Sequence, residues 1–422
     1  MADTVVDVVV QIAGEDVTAG RLWAHRRRGS ESATFAYTTE YLTRADAYEL
    51  DPALPLANGQ QQTPVGRATF GAFSDCAPDR WGRRLLQRAE RIRARDDGAT
   101  ERSFGEIDYL LGVRDDLRQG ALRFRDPASG SYVATEQVGV PNLVELPRLL
   151  AAAERLEREE ATDADLVMLQ RGGSSLGGAR PKAHVLHGSG RIAIAKLPSP
   201  MSDEWDVIRW EGVALGLARR AGITVPDATT HVFDGRAILV VDRFDREGTR
   251  RIGYVSAMTM LETTDGDSGS YLDIADAIER HAPDTSADLR ELWRRIAFTI
   301  LISNTDDHLR NHGFLRTSTA GWSLSPAFDV NPDPAPGPKL LSTAIGYDDN
   351  AARIDLLMDV ADHFALTQSE ATAILGDVVE ATGRWRREAG DRGLGVAAIE
   401  QMAPAFEHAQ ADVARELVGV LA

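Results

Sequence analysis

Apolar and polar positions alternate along three short runs at the start of the chain, VVDVVVQIAG, VTAGRLWAHR and ATFAYTTEYL, separated by polar turns. A period of two predicts a β-meander over residues 1–45. The stretch from Asp51 to Pro64 is rich in Pro, Gly and Gln and reads as a loop. A helix is expected over Arg80–Arg95, with Pro78-Asp79 as its start signal. FGEIDYLLGV reads as a second helix, and ALRFRDP and SYVATE as short strands.

A helical stretch over Val144–Glu160 marks the join to a second unit. A Gly/Ser loop from Arg171 to Lys182 leads into a hairpin of AHVL and RIAIAKL, and a helix spans Asp203–Ala221. ATTHVF and AILVVDRF form another hairpin across Asp234-Gly235, a strong turn dipeptide. Beyond Ile252 the apolar spacing becomes three and four, as in SYLDIADAIERH and DLRELWRRIAFTILIS. The loop NTDDHLRNHG, a short hairpin, PAFDV and a Pro-rich loop follow, then amphipathic helices to the end. These elements predict an α+β chain with three parts: a β-rich N-terminal subdomain over 1–135, a mixed unit over 136–248 and a mostly helical unit over 249–422.

Composition narrows the picture. No run approaches the roughly 18–20 apolar residues that span a bilayer. The first residues open on an acid and alternate like a strand, unlike a signal peptide. The expected location is the cytoplasm, with no membrane partner. The single cysteine, Cys76, leaves no internal disulfide. The formal charge of −17 opposes direct DNA binding by the chain alone. The basic run within Arg80–Arg95 reads as the solvated side of a helix. Only three lysines occur, Lys182, Lys196 and Lys339, among many arginines. An ammonium and a guanidinium are not interchangeable at a phosphate, so these lysines are candidates for a site.

Phosphoryl transfer needs an orienter for the attacking hydroxyl, oxygen ligands for a metal and a cation for the phosphates. Asp306 and Asn311 stand five apart in the loop after a helix whose face carries Trp293, Ile296 and Ile300. That is the spacing of a kinase catalytic loop. Asp306 is the candidate base and Asn311 a candidate magnesium ligand. Asp329, beside Phe328, follows a short hairpin and is the second ligand candidate; two such oxygens plus phosphate and waters suit Mg2+. Lys196 ends a strand in which Ile192, Ile194 and Lys196 share one face, read as the apolar side. Glu211 lies on the same helical face as Ile208 and Leu215 and would pair with it. Gly172 to Ala179 form a glycine loop that lacks both the Walker and the G-x-G-x-x-G patterns. His308 and His312 with a neighbouring acid offer a competing zinc reading.

Several motifs in this order resemble the HipA family of bacterial toxin kinases. They are SSLGGARPK, AIAKLP, WEGVALGLARRAGITVPDA, VVDRFDR, SNTDDHLRNHGF and LSPAFDV, over Gly173–Val330. FSDCAPDRWGRRLL resembles the family's partner-coupling N-terminal subdomain. The resemblance implies a two-lobed protein-kinase-like fold and an ATP- and Mg2+-dependent serine/threonine kinase. Family targets include aminoacyl-tRNA synthetases, and the implied partner is a HipB-like helix-turn-helix antitoxin through which DNA would mostly be reached. By motif position it implies Asp306 as base, Asn311 and Asp329 on magnesium and Lys196 on the phosphates. Asp242, Arg243, Phe244 and Asp245 would form the hinge. Ser175, Gly177, Gly178, Ala179, Arg180 and Lys182, with His308 and Phe328, would lie around the nucleotide. Ser175, or its neighbour Ser174, falls at the family's autophosphorylated serine. The chain departs from the family pattern at Gly177, Arg180 and Asp307, where Ala, Gln and often Gly are usual. The alternatives are a small-molecule kinase of the aminoglycoside or choline type, and a co-repressor whose main role is not catalytic.

Overall fold

The computed structural model describes residues 4–27, 29–135, 139–173, 180–188, 190–267, 269–347 and 349–420. The chain forms two compact units. The first comprises Met1–Ser202, Val240–Val255 and Leu315–Thr319; the second comprises Asp203–Leu239, Ser256–Phe314 and Ala320–Ala422.

The first unit is built on a five-stranded antiparallel sheet. Its order is Gln61–Gln62, Ser30–Tyr37, Glu15–Arg27, Thr4–Ile12 and Leu122–Arg125. Ala13 and Gly14, both with positive φ, turn the first hairpin. Val6, Val8, Val9 and Val10 are all buried, so the interior strand Thr4–Ile12 is covered on both faces. Phe35, Phe70, Phe73 and Phe124 pack edge to face against that sheet. The helix Arg80–Asp96 starts where expected, and Asp79 caps it by accepting from the Gly82 amide at 2.6 Å. Its arginines are largely ion-paired: Arg83 with Glu106, Arg91 with Glu101, Arg93 with Glu90 and Arg95 with Asp163. The helix Leu146–Glu157 was legible in the sequence; the next, Asp163–Arg171, was not.

A hairpin of Lys182–Leu186 and Ile192–Lys196 completes this part, with Lys182 opposite Lys196. Here the structure corrects an expectation. Ala193 and Ala195 face the core, whereas Ile192, Ile194 and Lys196 share the half-buried face. On the paired strand Ala183 stands opposite Ala195, and a Cβ on Gly172 would lie 2.6 Å from the Ala183 Cβ, so the backbone at residue 172 packs closely on this face.

The second unit is mostly helical. The helix Thr285–Leu301 runs through its centre and is buried on nearly every side from Leu292 onward. Around it lie Tyr271–His281 and Gln368–Thr382, each opened by a capping box (Ser270 with Asp273, Thr367 with Glu370). The helix Val207–Arg220 packs through Trp210 against Trp385 and Phe406, and those two rings stack at 4.7 Å. Among the described residues, no helix is long and apolar enough to cross a membrane.

Candidate active site

The central helix of the second unit delivers the loop that carries the candidate chemistry. It ends at Ile302, and Ser303 turns the chain with φ 55°. The Asn304 amide donates back to the Thr299 carbonyl at 2.9 Å, closing the helix end. Asp306, the candidate base, is exposed. Its flanking peptides are pinned. The Thr305 carbonyl accepts from the Ser342 amide at 3.1 Å and the Ser342 hydroxyl at 2.9 Å. The Asp307 carbonyl accepts from the Thr343 hydroxyl at 2.6 Å. Asp306 is thus presented outward from a backbone held on both sides.

Asn311 closes a 3-10 turn, Leu309–Asn311, and its Nδ2 donates to the Asp306 carbonyl at 3.0 Å. The amide oxygen is the end turned away from that carbonyl. Asn311, Asp307, His312 and Phe328 line one small cavity of about 20 Å³, room for a single water. Asp329 follows Phe328 directly and has φ 56°, a left-handed conformation that Asp tolerates better than most residues. Asn331 Nδ2 lies 3.4 Å from its Oδ1, and the Ala327 amide donates to the Thr224 carbonyl at 2.8 Å. An amide oxygen and a carboxylate are hard donors of the kind magnesium takes, so Asn311 and Asp329 fit that ion chemically.

Asp307 was given no structural task by the sequence, yet it is 6% exposed. Tyr271 donates its hydroxyl proton to Oδ2 at 2.5 Å, and His312 Nε2 lies 3.2 Å from the same oxygen. The His312 ring makes an electrostatic contact there rather than an aligned hydrogen bond. Burial by itself raises the Asp307 pKa, but His312 and the Tyr271 hydroxyl outweigh it, and the carboxylate sits below its usual range. Tyr271 is pushed well above the usual phenol by burial and by this carboxylate. The only sequence signal for the cluster was the doubled acid itself. His308 caps the 3-10 turn, and its Nδ1 is buried without a hydrogen-bond partner. Among the described residues, no three His, Cys, Asp or Glu side chains gather around a point where zinc would sit.

Glu211 lies buried in the helix Val207–Arg220, 3% exposed, as do Ile208 and Leu215. In the first unit, Lys196 is half-buried at the end of its strand. The resemblance places Lys182 at the nucleotide; the structure puts its ammonium 2.8 Å from Asp79 Oδ2, with both side chains buried. This pairing offsets the repulsion of two lysines facing each other across a ladder. Burial raises the pKa of Asp79, and Lys182 opposes the rise.

The hinge residues take distinct places. Asp242 pairs with Arg191 at 3.1 Å. Phe244 packs on the cluster of Ile252, Tyr254 and Leu315. Arg243 is buried and donates to the Leu117 and Arg118 carbonyls and to both Asp245 oxygens. Burial would raise the pKa of Asp245; Arg243, Arg246 and the Gly120 amide hold it well below the carboxylate range instead. Arg243 Nη1 also donates to His184 Nε2 at 3.2 Å, while His184 Nδ1 donates to the Gly172 carbonyl at 2.8 Å. The expected hinge is therefore tied to the residue at the base of the Gly/Ser loop. Arg180 is exposed. Ser175, Gly177, Gly178 and Ala179, with Ser174, lie outside the described residues.

Comparison with known proteins adds three findings. A protein of Haemophilus influenzae is 28% identical over 142 residues, covering 30% of this chain and 41% of that protein. One of Sinorhizobium fredii is 30% identical over 159 residues, covering 34% and 38%. Both carry the provisional name of a kinase, and this chain spans about two-fifths of the length of each. HipA of Shewanella oneidensis MR-1, solved with HipB and operator DNA, shares the fold at TM-score 0.69 and 15% identity, over 99% of this chain and 100% of that one. Residues 10–103 match the model of the HipA N-terminal domain, and residues 174–385, half of the chain, match the HipA-like C-terminal domain. The chain belongs to the HipA family.

Proposed function

We propose that this chain is an ATP-dependent serine/threonine protein kinase, a HipA-type toxin that modifies a protein and its own Gly/Ser loop. The observation that carries the reading is the exposed Asp306 between two pinned peptides, with Asn311 bonded back onto its carbonyl. Asp306 takes the proton from the attacking hydroxyl of a Ser or Thr as its oxygen bonds to the γ-phosphorus of ATP and the bond from that phosphorus to the ADP oxygen breaks. Asn311 and Asp329 would hold Mg2+, which supplies charge neutralisation on the phosphates. By the family resemblance, Lys196 is the residue that would meet the phosphates. Asp242 to Asp245 take the adenine side. The buried Arg243 and Asp245 support that segment through their side chains. The partner is a HipB-like helix-turn-helix antitoxin. Family membership and the assembly of the Shewanella protein support that reading. The protein substrate belongs to the class that includes aminoacyl-tRNA synthetases.

The test is incubation of the full chain with Mg-ATP, followed by intact-mass and peptide mass spectrometry. Wild type is expected to gain a phosphate in the peptide carrying Ser174 and Ser175. Asp306→Ala is expected to label roughly 10²- to 10⁴-fold more slowly, the usual contribution of a positioned base. Nucleotide binding without transfer to the chain itself or to any protein in a bacterial lysate overturns the reading.

A further inference from the structure

Asp306 and Asp307 are adjacent in sequence but opposite in environment. Asp306 is exposed and Asp307 is buried. A buried carboxylate needs donors, and here they come from separate elements. Tyr271, at the start of the helix Tyr271–His281, gives its hydroxyl at 2.5 Å. Thr299, from the last turn of Thr285–Leu301, stands at 3.4 Å. His312, at the loop's exit, stands at 3.2 Å, and its ring meets the Tyr271 ring edge-on at 5.6 Å. The Tyr271 amide is itself held by the Ala344 carbonyl at 2.8 Å, one residue beyond the Thr343 that grips the Asp307 peptide.

The bonds from Tyr271, Thr299 and Thr343 fix Asp307, the neighbour of Asp306, and the electrostatic contact holds His312, the neighbour of Asn311, beside it. A buried, hydrogen-bonded carboxylate adds little net stability over an apolar replacement of the same shape. What it supplies here is direction. We infer that Asp307 is a positioning residue for phosphoryl transfer, whose carboxylate, gripped by Tyr271 and His312, turns Asp306 outward and Asn311 inward. The inference rests on the roles proposed above for Asp306 and Asn311.

The experiment compares wild type with Tyr271→Phe, Asp307→Asn and the double variant in the full chain. Steady-state transfer from Mg-ATP and amide hydrogen exchange over residues 304–312 are both measured. Each single variant is expected to lower kcat by about 10- to 100-fold, the usual effect of a group that orients a metal ligand. KM for ATP should move by less than about threefold, since binding is not what the cluster serves. The double variant should be no slower than the worse single, because the two side chains act as one unit. Unchanged kcat, a loss confined to KM, or losses that multiply would each overturn the inference. Should Asp307→Asn fail to fold, Tyr271→Phe, which deletes one hydroxyl, carries the test. Should wild type transfer no phosphate at all, the kinase reading fails by itself. The positioning role is then decided by exchange: about tenfold faster exchange of the loop amides in Tyr271→Phe supports it, and unchanged protection overturns it.

Discussion

His184 sits at a junction that its neighbours define. Its Nδ1 proton goes to the Gly172 carbonyl, so its Nε2 is the acceptor for Arg243. Burial, then the Arg243 charge, pull its pKa from 6.5 down to about 3. The folded state thus binds this proton more weakly than the unfolded chain. Its contribution is fully present above pH 6.5 and is lost as pH falls from there toward 3. At pH 5 the loss amounts to about 2 kcal/mol. His184→Asn keeps a donor for Gly172 and does not titrate. Urea unfolding at pH 7 and pH 5 should show a pH-dependent loss about 2 kcal/mol smaller in the variant than in wild type; equal losses refute the assignment. At this scale the sequence was partly legible. Asp306, Asn311 and Asp329 were singled out because phosphoryl transfer would need such groups at such spacings, and what the structure adds is that Asn311 bonds back to the Asp306 carbonyl. The hydrogen bond that Asp307 receives from Tyr271 and the Asp79–Lys182 pair could not be, because those partners are remote in the chain. The face of Lys196 was misread because two isoleucines outweigh two alanines in a hydrophobicity pattern, although Ala193 and Ala195 are the buried pair.

Elements were more legible where local chemistry marks their ends. Asp79 accepts from the Gly82 amide, and the helix Arg80–Asp96 begins there as its start signal predicts. The helix Asp163–Arg171 was missed, although Thr162 and Asp165 form a reciprocal cap at its start. Asp at the third position is a weaker cue than Glu or Gln, and the segment is short. The hairpin of Gly313–Ser318 and Gly321–Leu324 was read correctly, but not why glycine opens its second strand. A Cβ on Gly321 would lie 2.2 Å from the His281 carbonyl oxygen, a backbone atom that cannot step aside. Gly321→Ala should therefore push that strand off the end of the helix Tyr271–His281. A loss of about 1–3 kcal/mol in the second unit is expected, the range for overpacking. Thermal unfolding that matches wild type would mean the strand has room to move.

At the scale of the whole molecule, charge decides what the chain can hold unaided. Its 64 acidic residues exceed its 47 lysines and arginines, for a formal −17. The basic run in the helix Arg80–Asp96 has several of its guanidinium groups paired with carboxylates of its own unit. To bind phosphate, those pairs must open and the net field must be overcome. Under the proposed function, DNA affinity comes from a basic partner docked on the chain. Each phosphate such a partner neutralises adds about 0.9 to the slope of log affinity against log salt. In a mobility-shift titration at physiological salt, the chain alone should leave operator-length DNA unshifted. Adding a helix-turn-helix antitoxin should produce a shift whose salt slope equals that of the antitoxin by itself. A steeper slope with the chain present would mean that its own arginines have left their acids for the DNA.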